Sequence, residues 1–129
     1  MSKRILIVED EIHIANMLTE TLGLEGYETV TVTQSLRFYD AVKEHAPDLV
    51  VLDMLMPYLD GKDELSILRL DPDIPSIPVI VYTAYPDARQ QQAELVRLGV
   101  VEIIDKATGA DKLLAAIKRV IGEPQVVGR

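Results

Sequence analysis

Apolar residues fall into four short runs along the chain: residues 5–8 (ILIV), 49–52 (LVVL), 79–82 (VIVY) and 100–104 (VVEII). Except at Glu102 they do not alternate with polar residues, which is the pattern of parallel strands covered on both faces. A fifth segment, residues 27–33 (YETVTVT), does alternate and is rich in Val and Thr. It predicts an edge or half-exposed strand. Between these runs the apolar spacing lengthens to that of helices. Ile14, Ala15, Leu18 and Leu22 share one face, with Gly23 or Gly26 to close the helix. Residues 36–45 form a weaker helical segment that Pro47 stops. Residues 61–70 carry Leu65 and Leu68 and run into the proline-broken stretch DPDIPSIP. Residues 87–98 end at Gly99, and residues 110–121 set Leu113, Leu114, Ile117 and Ile121 on one stripe before Gly122. A β-α alternation repeated in this way predicts an α/β fold, a doubly wound parallel sheet of five strands with five helices.

In an open α/β sheet, ligands bind beyond the carboxyl ends of the strands. The polar residues collect at those ends. Counting the five predicted strands in chain order, Glu9, Asp10 and Glu11 follow the first, Asp53 the third, Thr83 and Ala84 the fourth, and Asp105 and Lys106 the fifth. Each has an ordinary explanation when taken singly. A strand-end Asp caps a turn, an acid run opens a helix, a Thr fills a strand and a Lys faces water. Together they are complementary. Two ionised carboxylates side by side repel, and a hard divalent cation relieves the repulsion. Mg²⁺ takes oxygen ligands and keeps some of its waters, so a pair of carboxylates and a carbonyl suffice. With the cation in place, Asp53 has the chemistry of a nucleophile towards phosphorus. Lys106 and the Thr83 hydroxyl then suit the phosphoryl oxygens. His13 reads as a solvated helix residue and His45 as a helix-end residue.

Composition narrows the function classes. The 129-residue chain carries a formal net charge of −8 and shows no Lys/Arg cluster, which argues against direct nucleic-acid binding. It has no cysteine, hence no disulfide and no thiolate metal site. No apolar run is long enough to cross a bilayer or to serve as a signal peptide, so the expected location is cytoplasmic.

ILIVEDE, VVLDMLMPYLDG, VIVYTA and VVEIIDK, in this order, resemble the four signature segments of the receiver domain of bacterial two-component response regulators. The resemblance covers roughly residues 3–122. It implies a receiver domain over residues 1–122 and a short tail over residues 123–129. It also implies a flavodoxin-like sheet with strand order 2-1-3-4-5. By the same resemblance Asp53 is the phosphoacceptor, Thr83 the switch hydroxyl and Lys106 the phosphoryl counter-ion. Asp10, Asp53 and the main-chain carbonyl of Leu55 are implied Mg²⁺ ligands, with Glu9 holding metal-bound water. The implied partners are a histidine kinase or histidine phosphotransfer protein and a downstream protein target. A homodimer through the face of the fourth helix, fifth strand and fifth helix is a further expectation. Such a domain catalyses only its own phosphoryl transfer and dephosphorylation.

Two positions depart from the family pattern. Ile103 stands where an aromatic residue is usual, which predicts that the response centres on the loops after the third and fourth strands. Ala107 follows Lys106 where proline is usual, which predicts a trans peptide with residues 107–109 adjusting. Leu55 and Tyr85 occupy the positions best placed to guide or block the hydrolytic water, and they predict a long-lived phosphoryl state. Pro57 and the Asp60-Gly61 pair predict a turn that folds back over the pocket. The competing class is a receiver-like interaction or dimerisation domain that is never phosphorylated. Its degenerate members lose an acid, the Asp or the lysine, and this chain keeps all of them. A flavin carrier would want a Ser/Thr/Gly loop after the first strand, where this chain has Glu-Asp-Glu.

Overall fold

The computed structural model describes residues 3–54, 61–84 and 88–124. Ten principal elements alternate: β1 (Arg4–Val8), α1 (Ile12–Leu24), β2 (Glu28–Val32), α2 (Phe38–His45), β3 (Leu49–Leu52), α3 (Gly61–Leu70), β4 (Val79–Thr83), α4 (Gln92–Arg97), β5 (Val100–Asp105) and α5 (Ala110–Ile121). The strands form one parallel sheet in the order β2-β1-β3-β4-β5. Order reverses between β1 and β3, the place at which an open sheet of this kind binds ligands beyond its carboxyl ends.

The unbroken apolar runs are explained by burial on both faces. Leu6, Val8, Val50, Leu52 and Val81 pack with Phe38 and Val42 of α2, Leu65 and Leu68 of α3 and Leu95 of α4. Their neighbours Ile5, Ile7, Leu49, Val51 and Ile80 pack on the other face with Leu18 and Leu22 of α1 and Leu113 and Ile117 of α5. Successive strand residues thus serve opposite layers. The alternating segment is the edge strand β2, which is only partly buried.

Two helices are shorter than the sequence pattern suggests. Residues 35–37 and 88–91 form tight 3₁₀ turns ahead of α2 and α4, so α2 starts at Phe38 and α4 at Gln92. Neither turn offers an apolar stripe to bury; Leu36 is exposed. Packing begins only where Phe38 and Leu95 reach the core. α1 runs through Gly23 and ends at Leu24, and Gly26, with φ 102°, reverses the chain into β2.

β5 carries one irregularity. Val79 pairs with Val100 but Ile80 pairs with Glu102, so Val101 is an extra residue, 49% exposed, in a bulge on the outer edge.

Candidate functional site

Three carboxylates, Glu9, Asp10 and Asp53, each place an oxygen within 4.8 Å of the others. The sheet is what gathers them. The Asp53 N–H donates to the Val8 carbonyl at 3.0 Å and the Glu9 N–H to the Val32 carbonyl at 3.0 Å, so each acid leaves its strand on the last rung of a ladder. Glu9 and Asp53 are buried, whereas Asp10 is exposed.

Asp53 is bracketed by donors. Thr83, the last residue of β4, donates its hydroxyl to Asp53 Oδ1 at 2.8 Å. Lys106 donates from Nζ to Asp53 Oδ2 at 3.0 Å and also lies 2.6 Å from Glu9 Oε1. The other Glu9 oxygen accepts the Glu11 N–H at 3.1 Å. A buried acid without partners would be costly, and these contacts are the compensation. They do not compensate fully. Burial pushes the Glu9 carboxyl up to about 7, the Asp53 charge adds to the rise, and Lys106 and the Glu11 N–H pull against it. Burial works to lower the Lys106 pKa, but the hydrogen bonds to Glu9 and Asp53 outweigh it and hold the ammonium above its ordinary value.

Lys106 is aimed by a well-defined turn. The Asp105 carboxylate accepts the Ala107 N–H at 2.8 Å, and the Thr108 hydroxyl donates to the Asp105 carbonyl at 2.7 Å. Gly109 follows with φ 85°, a conformation that favours glycine. The Lys106–Ala107 peptide is trans, as the missing proline suggests.

Glu9, Asp10, Asp53, Thr83 and Lys106 therefore meet at one crevice. Leu55, Pro57, Asp60 and Tyr85 lie outside the described residues. One contact was not anticipated: Lys106 is shared between Glu9 and Asp53 rather than reserved for Asp53. A lysine placed against two acids from separate strands follows from sheet order, which the first and fifth strands reveal only once their positions are known. His13 is exposed, and His45 ends α2. Ile103 is buried beside Val81 in the layer that includes α4.

The donor set suits a hard cation: carboxylate oxygens converging from two strands, without a histidine or thiolate among the described residues of the cluster. Three carboxylates against one ammonium leave net negative charge in a partly buried crevice.

A family profile for the response regulator receiver domain matches residues 5–118. The chain belongs to the receiver-domain family of response regulators. Its relatives include the polar-differentiation response regulator DivK of Brucella ovis, 31% identical over 124 residues, covering 95% of this chain and 99% of DivK. Among solved structures, a receiver domain from Bermanella marisrubri superposes with a TM-score of 0.82 at 26% identity, covering 94% of this chain and 99% of that one. The response regulator TrrA of Thermotoga maritima, solved in complex with Mg²⁺ and BeF, superposes with a TM-score of 0.77 at 29% identity, covering 92% and 99%. The receiver domain is a signalling module of two-component systems and not a metabolic enzyme. No helix among its described residues is long and apolar enough to cross a membrane.

Proposed function

We propose that this receiver domain, spanning residues 1–122, is a cytoplasmic switch that accepts a phosphoryl group on Asp53. The donor is the phosphohistidine of a histidine kinase or phosphotransfer protein. An Asp53 oxygen bonds to phosphorus as the P–N bond breaks, and the imidazole leaves and takes up a proton. The observation that carries this reading is the buried Asp53 carboxylate held between the Thr83 hydroxyl and the Lys106 ammonium, with Glu9 and Asp10 beside it. Asp10, Asp53 and the Leu55 carbonyl are the proposed Mg²⁺ ligands, with Glu9 acting through water. Bound Mg²⁺ supplies neutralising charge for the carboxylates and the phosphoryl oxygens.

The chain's own donors supply the rest. Each Asp53 oxygen accepts a hydrogen bond from Thr83 or Lys106 and has a second lone pair for attack on phosphorus. Lys106 and Thr83 then exchange a carboxylate acceptor for phosphoryl oxygens. Net hydrogen bonding is conserved while the acceptors move outward, and Thr83 moves with them. Ile103 is already buried and has no hydroxyl to trade between states, which supports a response centred on Thr83. Output then reaches a protein partner. A homodimer through α4, β5 and α5 belongs to the same proposal, and Val96 and Val101 are exposed there.

The test is intact-mass spectrometry after incubation with a small phosphodonor and Mg²⁺. Wild type gains one phosphoryl mass, and Asp53→Asn or a chelator abolishes the gain. Equal labelling of Asp53→Asn overturns the assignment. Thr83→Ala is expected to label but to lose most of the amide-exchange change around β4; a dominant response at Ile103 would contradict that.

A further inference from the structure

We propose that the free edge of β2 is a self-association surface, on which two copies of this chain pair β2 with β2, antiparallel, about a two-fold axis. The inference does not depend on phosphorylation. It starts from the two edges of the sheet, which differ in how they are protected. The β5 edge carries the bulge at Val101 and a charged residue in mid-strand, Glu102, paired with Arg119 at 3.2 Å. Bulges and charges are the usual guards against edge-to-edge pairing. The β2 edge has no bulge and no charge in mid-strand. Its residues, ETVTV, pair with β1 in unbroken register and include no Pro, Lys or bulge. The one charge, Glu28, is drawn to Arg4 at 3.0 Å.

The outward main-chain groups can be assigned. The Glu28 N–H donates to the Lys3 carbonyl, and the Val32 carbonyl accepts the Glu9 N–H. Even-numbered residues therefore face β1, and Thr29 and Thr31 turn their N–H and C=O groups outward. In a two-fold pair centred on Val30, Thr29 meets Thr31 of the second copy as a hydrogen-bonded pair, and the axis repeats the contact. Thr and Val favour such pairing.

The helix beside the edge supplies the complementarity. A cavity of about 350 Å³ lies between β2 and one flank of α2, lined by Val30, Arg37, Asp40, Ala41 and Glu44 among others. Arg37, Asp40/Ala41 and Glu44 recur at helical spacing, so they form a single stripe. Arg4 fixes the level of that stripe, because it pairs with Glu28 and donates to the His45 carbonyl at 2.5 Å. The carboxyl end of α2 thus lies level with the start of β2, and Ala41 falls near Val30. The axis that pairs the strands also sets the two α2 helices antiparallel. Arg37 of one copy then faces Glu44 of the other, and Ala41 allows close approach. Asp40 is the unfavourable element, brought towards its own symmetry copy. Arg37 and Glu44 of the stripe are matched by a second copy and only Asp40 is opposed, which is why the edge is assigned to self-pairing.

Sedimentation of the full chain over a range of concentrations tests this. Wild type should dimerise reversibly, with slowed amide exchange at Thr29 and Thr31 in the dimer. Arg37→Glu should weaken the dimer about tenfold, and adding Glu44→Arg should restore it. Asp40→Asn should tighten it. Thr31→Pro removes an outward N–H and one exposed hydroxyl contact to Thr19, so the fold should survive while the dimer is lost. Asp53→Asn should dimerise like wild type. A chain that stays monomeric at all concentrations overturns the proposal. So does a dimer that Val101→Lys disrupts and Arg37→Glu does not, which would move the interface to β5. A monomer whose Thr29 and Thr31 amides respond only to an added Thr/Val-rich peptide would likewise overturn it, and would assign the edge to an extended partner.

Discussion

At the carboxyl ends of the strands, three carboxylates cluster and two of them hold one lysine. At the amino ends, cations close on main-chain carbonyls. Lys3 donates to the Ile121 carbonyl at the end of α5. Arg4 donates to the His45 carbonyl at the end of α2. Arg69 donates from Nε to Leu98, just past α4, and from Nη2 to Ile77, just before β4, both at 2.7 Å. Helix carboxyl ends carry partial negative charge and carbonyls without intrahelical partners, so a fixed cation answers both needs. At this lower end the helix-end carbonyls are answered, while the buried Arg4 Nε has no hydrogen-bond partner among the described residues. The upper end keeps an excess of negative charge and has room for a cation. The difference separates clamping from chemistry: fixed cations meet main-chain carbonyls at the amino ends, and the reactive groups gather at the carboxyl ends.

The sharpest way to break this contrast is at Gly99. Its φ is 94°, and an added Cβ would fall 1.9 Å from Arg69 Nη2. Gly99→Ala should therefore strain the turn and displace the guanidinium together, costing about 3 kcal/mol in urea unfolding. Arg69→Met keeps the aliphatic stem but strips the donors from two carbonyls, and about 2 kcal/mol should be lost. A loss under about 0.5 kcal/mol would mean that water satisfies those carbonyls and the clamp is ornamental. Tyr27→Phe removes the hydroxyl that donates to the Gly122 carbonyl at 2.7 Å, and about 1 kcal/mol is expected. The smallest effect should come from the other end. Asp10→Asn removes one repelling charge from an exposed position, so stability without metal should change by under about 0.5 kcal/mol. The same variant should lose most of the rise in melting temperature that Mg²⁺ gives wild type. A large loss of metal-free stability in Asp10→Asn would erase the distinction between the two ends.

The two ends also differ in how far the sequence reveals them. Strands buried on both faces announce themselves as unbroken apolar runs, so β1, β3, β4 and β5 were legible to within a residue or two. Glu9, Asp10, Asp53, Thr83 and Lys106 were legible as a group because each ends or follows a run. The 3₁₀ turns before α2 and α4 were not, because helical periodicity does not mark the residue at which packing starts. The clamps were hidden for a different reason. Arg69 on a helix and Lys3 near a strand start are indistinguishable in sequence from surface cations, and only the fold supplies their carbonyl partners. Gly99 held a faint signal, as a glycine wedged between Leu98 and the next strand. The sharing of Lys106 between Glu9 and Asp53 needed the third dimension, since strand order decides which acids a lysine meets.

Val101 has a consequence for how such a chain can change through descent. Val100 pairs with Val79 and Glu102 with Ile80, so the residue between them adds nothing to the ladder. Loss of its single codon would bring Val100 and Glu102 into consecutive register. Ile103 would still face inward, and Lys106 would still arrive at Asp53. What would vanish is the irregularity that guards the outer strand. One in-frame deletion would therefore strip the edge of its bulge, leaving Glu102 as the remaining guard and the chemistry of the crevice intact, and one insertion would restore it.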